Sequence, residues 1–169
     1  GLSQKKVYIE SGSSTGVSEL TIYGSGSGFS SLVNMAGGYN VANDLLERFP
    51  KVSWEWAITQ NPDVILKYKS ADTLGWEKGP SKDTLDLEKS RREVLERAGA
   101  ESIAAVKNDR VFLCFSEMLY GLDNAVGLAW MAKLLHPEAD IDPDEIWNEF
   151  KGLMNTDYPD GRIFVYPEE

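Results

Sequence analysis

The sequence predicts an α/β fold: a single three-layer unit with a mostly parallel sheet flanked by helices. Three observations predict it. Short apolar runs alternate along the chain with stretches whose apolar residues recur at helical spacing. The run Val64-Ile65-Leu66 is apolar throughout, as a strand covered on both faces requires. The 169 residues, 42% hydrophobic and 26% charged, suffice for one domain with its own core.

Val7-Tyr8-Ile9 reads as the first strand, closed by the flexible run Ser11 to Gly16. Leu20 to Tyr23 is a second β-like run, followed by the glycine loop Gly24 to Gly28. Phe29, Leu32, Val33 and Ala36 then recur at helical spacing, and Gly37-Gly38 stops that helix. A turn-rich stretch from Tyr39 to Val52 leads to Ser53, a side chain suited to cap a short helix over Trp54 to Gln60. Asn61-Pro62 ends that helix, because the residue before proline disfavours helical angles. Asp63 to Leu66 is the next strand, and the polar residues 67–86 read as a long surface loop.

A helix follows, with Val94, Leu95 and Ala98 inward and Gly99 as its stop. Arg110 to Phe115 is a further strand. Gly121 to Leu135 is a largely apolar helix whose inward face is Leu122, Ala125, Val126, Ala129 and Ala132. Asp142-Pro143-Asp144-Glu145 opens the last helix with a cap, a first-turn proline and an acid three residues on. Its buried stripe is Ile146, Trp147, Phe150, Leu153 and Met154, and Ile163 to Tyr166 adds an edge strand. In a sheet of this kind the ligand loops lie at the carboxyl ends of the strands.

Composition excludes several classes of function. With 17 Lys+Arg against 27 Asp+Glu, the formal net charge is −10, which opposes general binding of nucleic acid. The single cysteine, Cys114, rules out an intrachain disulfide and any all-cysteine metal site. No stretch reaches the roughly 18–20 apolar residues that span a bilayer, and the polar run Gly1 to Lys6 has no signal-peptide core. His136, the lone histidine, sits in Leu-Leu-His-Pro at a helix end, where it complements the dipole; no triad, nucleophile elbow or zinc spacing surrounds it. The acids from Asp140 to Glu145 and at Glu168-Glu169 read as a helix cap and a solvated tail.

Two features stand out against that background. The Gly24–Gly28 loop lies between a strand and a helix, as a phosphate-binding turn would, so an α/β nucleotide-binding enzyme is the alternative reading. The third glycine of the dinucleotide fingerprint would fall at Phe29, however, and no P-loop lysine follows; Asp44 stands at the distance of a ribose contact, but after a loop instead of a strand. Glu55, flanked by Trp54 and Trp56 in the first turn of its helix, is stabilised there by the dipole and is also a good docking point for a partner's arginine.

The segment from Gly37-Gly38-Tyr39-Asn40-Val41-Ala42 through Phe49-Pro50-Lys51-Val52-Ser53-Trp54-Glu55, then Asn61-Pro62-Asp63-Val64-Ile65, resembles the C-terminal lobe of substrate-binding proteins of ABC importers for ferric siderophores, haem and vitamin B12. The run Ala105 to Phe112, then Leu134-Leu135-His136-Pro137-Glu138 and Ile141-Asp142-Pro143, continue the likeness in the same order. The resemblance implies one half of a two-lobed, helix-linked binding protein, residues 1–169 being the C-terminal lobe. It implies no catalysis and no cofactor. The partners it implies are an iron chelate, haem or corrinoid ligand and a membrane permease. It also implies an extracytoplasmic location, with a membrane anchor in the full-length protein. Carried over residue by residue, Glu55 of Ser53-Trp54-Glu55 takes the permease-docking role. Phe49 stands where an aromatic lines the cleft, Glu117 where a late acid faces the ligand, and Tyr120 lies close by. Ser25, Ser27 and Phe29 fall where the cleft is shaped.

Overall fold

A computed structural model describes residues 3–73, 75–76, 83–119, 124–154 and 162–168. Its elements in chain order are β1 (Lys5–Ser11), β2 (Leu20–Thr21), α1 (Gly28–Met35), β3 (Gly38–Asn40), β4 (Lys51–Val52), α2 (Trp54–Gln60), β5 (Val64–Lys69), α3 (Leu85–Leu95), α4 (Ala104–Lys107), β6 (Val111–Phe115), α5 (Asn124–Leu135), α6 (Pro143–Met154) and β7 (Val165–Tyr166). Single 3-10 turns at Ala100–Ser102 and Ser116–Leu119 precede α4 and follow β6.

The main sheet has the order β3-β1-β5-β6-β7. β3, β1, β5 and β6 pair in parallel, and β7 returns antiparallel with Tyr166 opposite Leu113. Side-chain alternation divides the core into two layers. Val7, Ile9, Val64, Leu66 and Tyr68 pack with Phe29 and Leu32 of α1, Met131 and Leu134 of α5 and Trp147 of α6. Tyr8 and Ile65 point the other way, onto Trp54 and Ala57 of α2, Val94 of α3 and Ala105 of α4. With both faces covered, a continuous apolar run is the stable pattern for the central strands.

The caps form as their residue types dictate. Ser53 Oγ accepts from the Trp56 N–H at 3.3 Å, and Asp142 Oδ1 accepts from the amides of Asp144 and Glu145 at 3.0 and 3.1 Å. Gly37 takes φ +85° after α1, the left-handed stop that glycine adopts without strain.

Several expectations are corrected. Leu20 to Tyr23 is β-like as expected, but only Leu20–Thr21 forms a strand; it pairs antiparallel with β4, Leu20 opposite Val52, while Ile22 makes a single antiparallel bridge to Glu10 of β1. Gly38–Asn40, which runs from the expected helix stop into the stretch read as turn-rich, is the edge strand beside β1; its glycine and asparagine carry no β signature, and the backbone pairing decides. Residues 67–69 continue β5 instead of starting a surface loop, because Tyr68 enters one core layer while Lys67 is neutralised on the other. Trp76 is likewise buried: its Nε1 donates to the Ser70 carbonyl at 3.1 Å and its ring lies 5.4 Å from that of Phe115. Ala98, Ala125 and Leu153, read as inward, are exposed. Gly121 and Leu122 lie outside the described residues.

Candidate ligand-binding cleft

The parallel strands β1, β5 and β6 end at Ser11, Lys69 and Phe115, and the loops that follow them gather at one end of the sheet. Between these loops and α3 runs a groove of about 610 Å³, lined by hydroxyls such as those of Ser11, Ser13 and Thr15, by Lys67, Lys69 and Lys89, and by the carboxylates of Asp72, Asp86 and Glu93. A second cavity of about 300 Å³ adjoins it, lined by Phe29, Leu32 and Met35 of α1 and by Arg48, Phe49 and Asn124. Tyr23 lines both and forms the wall between them.

Tyr23 is held by its backbone. Its N–H donates to the Ile9 carbonyl at 3.0 Å, and its own carbonyl accepts from buried Asn40 Nδ2 at 2.7 Å. Its ring meets three others nearly edge-on: Phe29 at 4.5 Å, Phe49 at 5.9 Å and Tyr68 at 6.0 Å. Phe29 and Tyr68 are buried beneath, 3.7 Å apart. Phe49 is 50% exposed, and the Arg48 guanidinium stands 5.2 Å from its ring centre. The arrangement is an aromatic shelf with one side open and a cation at its edge.

The sequence-derived residues divide accordingly. Ser27, Phe29 and Phe49 line the same cavity. Ser27 is buried and serves as the N-cap of α1, its Oγ accepting from the Ser30 N–H at 3.1 Å; Phe29 is a floor residue with 2% exposure. Ser25 is exposed on the loop and does not line that cavity. Glu117 is exposed, one residue beyond Ser116 of the larger groove. Tyr120 lies outside the described residues. Glu55 is exposed on α2, and its carboxyl is held below the usual range by its own backbone N–H and by the Ser53 hydroxyl. Ser53 and Trp56, on either side of it, line a shallow depression with the fully exposed Leu46.

The glycine loop serves close packing. The Gly24 N–H donates to the Arg48 carbonyl, the Ser27 N–H to the Gly24 carbonyl and the Ser30 N–H to Ser27 Oγ, so these amides are already engaged. A Cβ at Gly24 would stand 2.3 Å from the Glu47 carbonyl oxygen. Gly24→Ala should therefore push the loop off segment 47–50 and cost about 1–3 kcal/mol by urea unfolding, the range for forced overpacking. An unchanged midpoint would show that the segment yields freely.

Beneath the larger groove lies a charge cluster that the sequence reading missed. Glu10 on β1 is fully buried and receives both arms of the Arg97 guanidinium, at 2.7 and 2.8 Å, together with Lys67 Nζ at 2.9 Å and the Tyr8 hydroxyl at 3.0 Å. Glu93 of α3 bridges Lys67 and Arg97, each at 2.9 Å. Burial raises the Glu93 carboxyl, but the Lys67 and Arg97 cations outweigh it and hold the group below its usual value. No spacing in the sequence pairs Glu10 with Arg97; only the strand alternation that puts Glu10 on the face of Tyr8 hints at its burial.

Among the described residues, no group of three or more His, Cys, Asp or Glu side chains is placed to hold a metal ion, and no helix is long and apolar enough to cross a membrane. His136 follows α5 as expected, with its ring buried against Gly37.

The chain resembles known proteins along most of its length. It is 30% identical over 140 residues to the molybdate-binding protein MolA of Haemophilus influenzae, covering 78% of this chain and 35% of that one. The solved structure of MolA bound to molybdate superposes with a TM-score of 0.63 at 26% identity, over 92% of this chain and 43% of MolA. The TroA-like periplasmic binding protein FepB of Veillonella parvula superposes with a TM-score of 0.75 at 22% identity, over 98% of this chain and 49% of FepB. A periplasmic haem-binding protein of Pseudomonas aeruginosa gives 0.62 at 18% identity, over 82% of this chain and 45% of that one. The chain thus spans between a third and a half of the length of these relatives. The sequence model of the family described as periplasmic binding protein matches residues 4–118, and the chain belongs to that family.

Proposed function

We propose that the chain is the C-terminal lobe of the solute-binding component of an ABC importer, and that it supplies half of the cleft for an organic metal chelate. Periplasmic binding proteins are transport components and not enzymes, and their place is outside the cytoplasm. The observation that carries the reading is the open aromatic shelf of Tyr23, Phe29 and Phe49, edged by Arg48, at the carboxyl ends of the sheet. An exposed ring beside a guanidinium suits a broad, flat or apolar ligand bearing negative charge, such as haem, a ferric siderophore or a corrinoid with acidic side arms. Glu55 is the docking contact for the permease in this reading, with Leu46 and Trp56 as its apolar surround.

A second reading has its own support. The larger groove presents hydroxyls, with Lys69 and Lys89 beside the carboxylates of Asp72 and Asp86, and the relative MolA is a molybdate-binding protein. A small tetrahedral oxyanion would use the hydroxyls and leave Phe49 idle.

Titration of the two-lobed protein with haemin, a ferric hydroxamate, cyanocobalamin and sodium molybdate, followed by intrinsic fluorescence, separates the readings. A chelate should bind, and Phe49→Ala should weaken it about tenfold, the effect of roughly 1.4 kcal/mol of lost ring contact. Binding of molybdate alone, unaffected by Phe49→Ala, selects the second reading. Binding of none of the four removes both.

A further inference from the structure

We infer that Lys67, acting with Glu93, is a positioning residue for the loop of residues 12–16 and sets how tightly the larger groove holds its solute; this rests on the cleft assignment above. Lys67 lies at the floor of the groove, yet it has nothing left to offer a ligand. An ammonium has three donors. Those of Lys67 go to Glu10 Oε1 at 2.9 Å, Glu93 Oε2 at 2.9 Å and the Ser14 carbonyl at 2.7 Å.

The loop is gripped at alternate residues. Lys69 Nζ donates to the Gly12 carbonyl at 3.2 Å, Lys67 holds Ser14, and the Gly16 N–H donates to Glu93 Oε1 at 3.1 Å. Ser14 Oγ in turn accepts from the Thr21 N–H at 2.9 Å, which ties the loop to β2. The intervening side chains, Ser13 and Thr15, are exposed and line the groove beside Ser11. Charges buried under the sheet end thus fix one set of loop residues and leave the other set presented to solvent. A loop ordered in advance loses less entropy when a solute binds.

The test uses the two-lobed protein and Lys67→Met, with Val94→Ala as a control that loosens the same helix layer without touching the loop. Amide hydrogen exchange at Ser14, Gly16 and Thr21 should quicken about tenfold in Lys67→Met relative to the global opening rate, and stay unchanged in Val94→Ala. Whichever of haemin, ferric hydroxamate, cyanocobalamin or molybdate binds the parent protein should bind Lys67→Met about fivefold to tenfold more weakly. Should Lys67→Met not fold, Glu93→Gln, at a partly exposed position, carries the same two measurements. Unchanged loop exchange in the variant, or a freed loop with undiminished affinity, overturns the inference. If no probe binds the parent protein, the proposed function fails, while loop exchange still decides whether Lys67 clamps the loop.

Discussion

Arg97→Met should lower the unfolding free energy by about 3–5 kcal/mol, the range for removing one partner of a buried ion pair. Arg97 is 5% exposed and its guanidinium forks onto Glu10, which is 0% exposed; without it the carboxylate keeps only Lys67 and the Tyr8 hydroxyl in a buried site. The same substitution strips the cation from the face of Trp54, 4.8 Å from the ring centre. A contrasting pair gives the scale. Lys51 and Glu19 stand 3.8 Å apart with 63% and 74% of their side chains exposed. Glu19→Gln should therefore change stability by no more than about 1 kcal/mol. Urea unfolding of both variants checks the claim, and equal midpoints would refute it. The pH dependence has a defined direction. Glu93, held below its ordinary value of 4.5, contributes stability that is present above that value and is lost as pH falls through its lower folded value. Arg97 is desolvated, which alone would lower it, but Glu10 and Glu93 raise it further, so it stays charged throughout.

Under the proposed docking role, Glu55→Ala should leave solute binding near that of the parent protein and reduce its stimulation of importer ATP hydrolysis, and uptake, about tenfold or more, as loss of a bidentate carboxylate–arginine contact would. The carboxylate is exposed and needs no internal partner beyond its own helix end. Glu55→Gln keeps the shape and a hydrogen-bond acceptor but loses the charge, and should fall between the two. An acid retained only to stabilise α2 predicts the reverse: full uptake by both variants and a lowered melting temperature. Uptake and melting measured on the same preparations separate the outcomes.

The sequence was legible where a residue type has one dominant physical use. Ser53, Asp142-Pro143 and Gly37 mark their helix ends, and Val64-Ile65-Leu66 can be little other than a buried strand. It was illegible where a polar residue is buried by a distant partner. Lys67 and Lys69 hid the second half of β5, since lysine in a strand makes sense only once Glu10, Glu93 and the Gly12 carbonyl are in place. The strand at Gly38–Asn40 was hidden for another reason, being defined by backbone pairing with Lys5 to Val7. In the cleft, family likeness pointed to Phe49 and the glycine loop, and the fold places Phe49 with Ser27 and Phe29 in one cavity. Tyr23 and Arg48, their immediate neighbours, carry no motif; the meeting of Tyr23 with three other rings and the place of Arg48 beside Phe49 identify them.

The division of the core by the sheet has an evolutionary consequence. Glu10 and Lys67 share the strand faces of Tyr8 and Ile65, whereas Phe29 and Tyr68 belong to the opposite layer with Ile9 and Leu66. The anchoring charges and the aromatic shelf therefore lie on opposite sides of a five-stranded partition. Under the proposed function, substitutions at the exposed Phe49, Arg48 or Met35 would alter ligand contacts while the ion cluster continues to hold the strands and the 12–16 loop. In that reading the residues that choose a solute can change at little cost in stability, because they are exposed and the charges that hold the strands lie elsewhere.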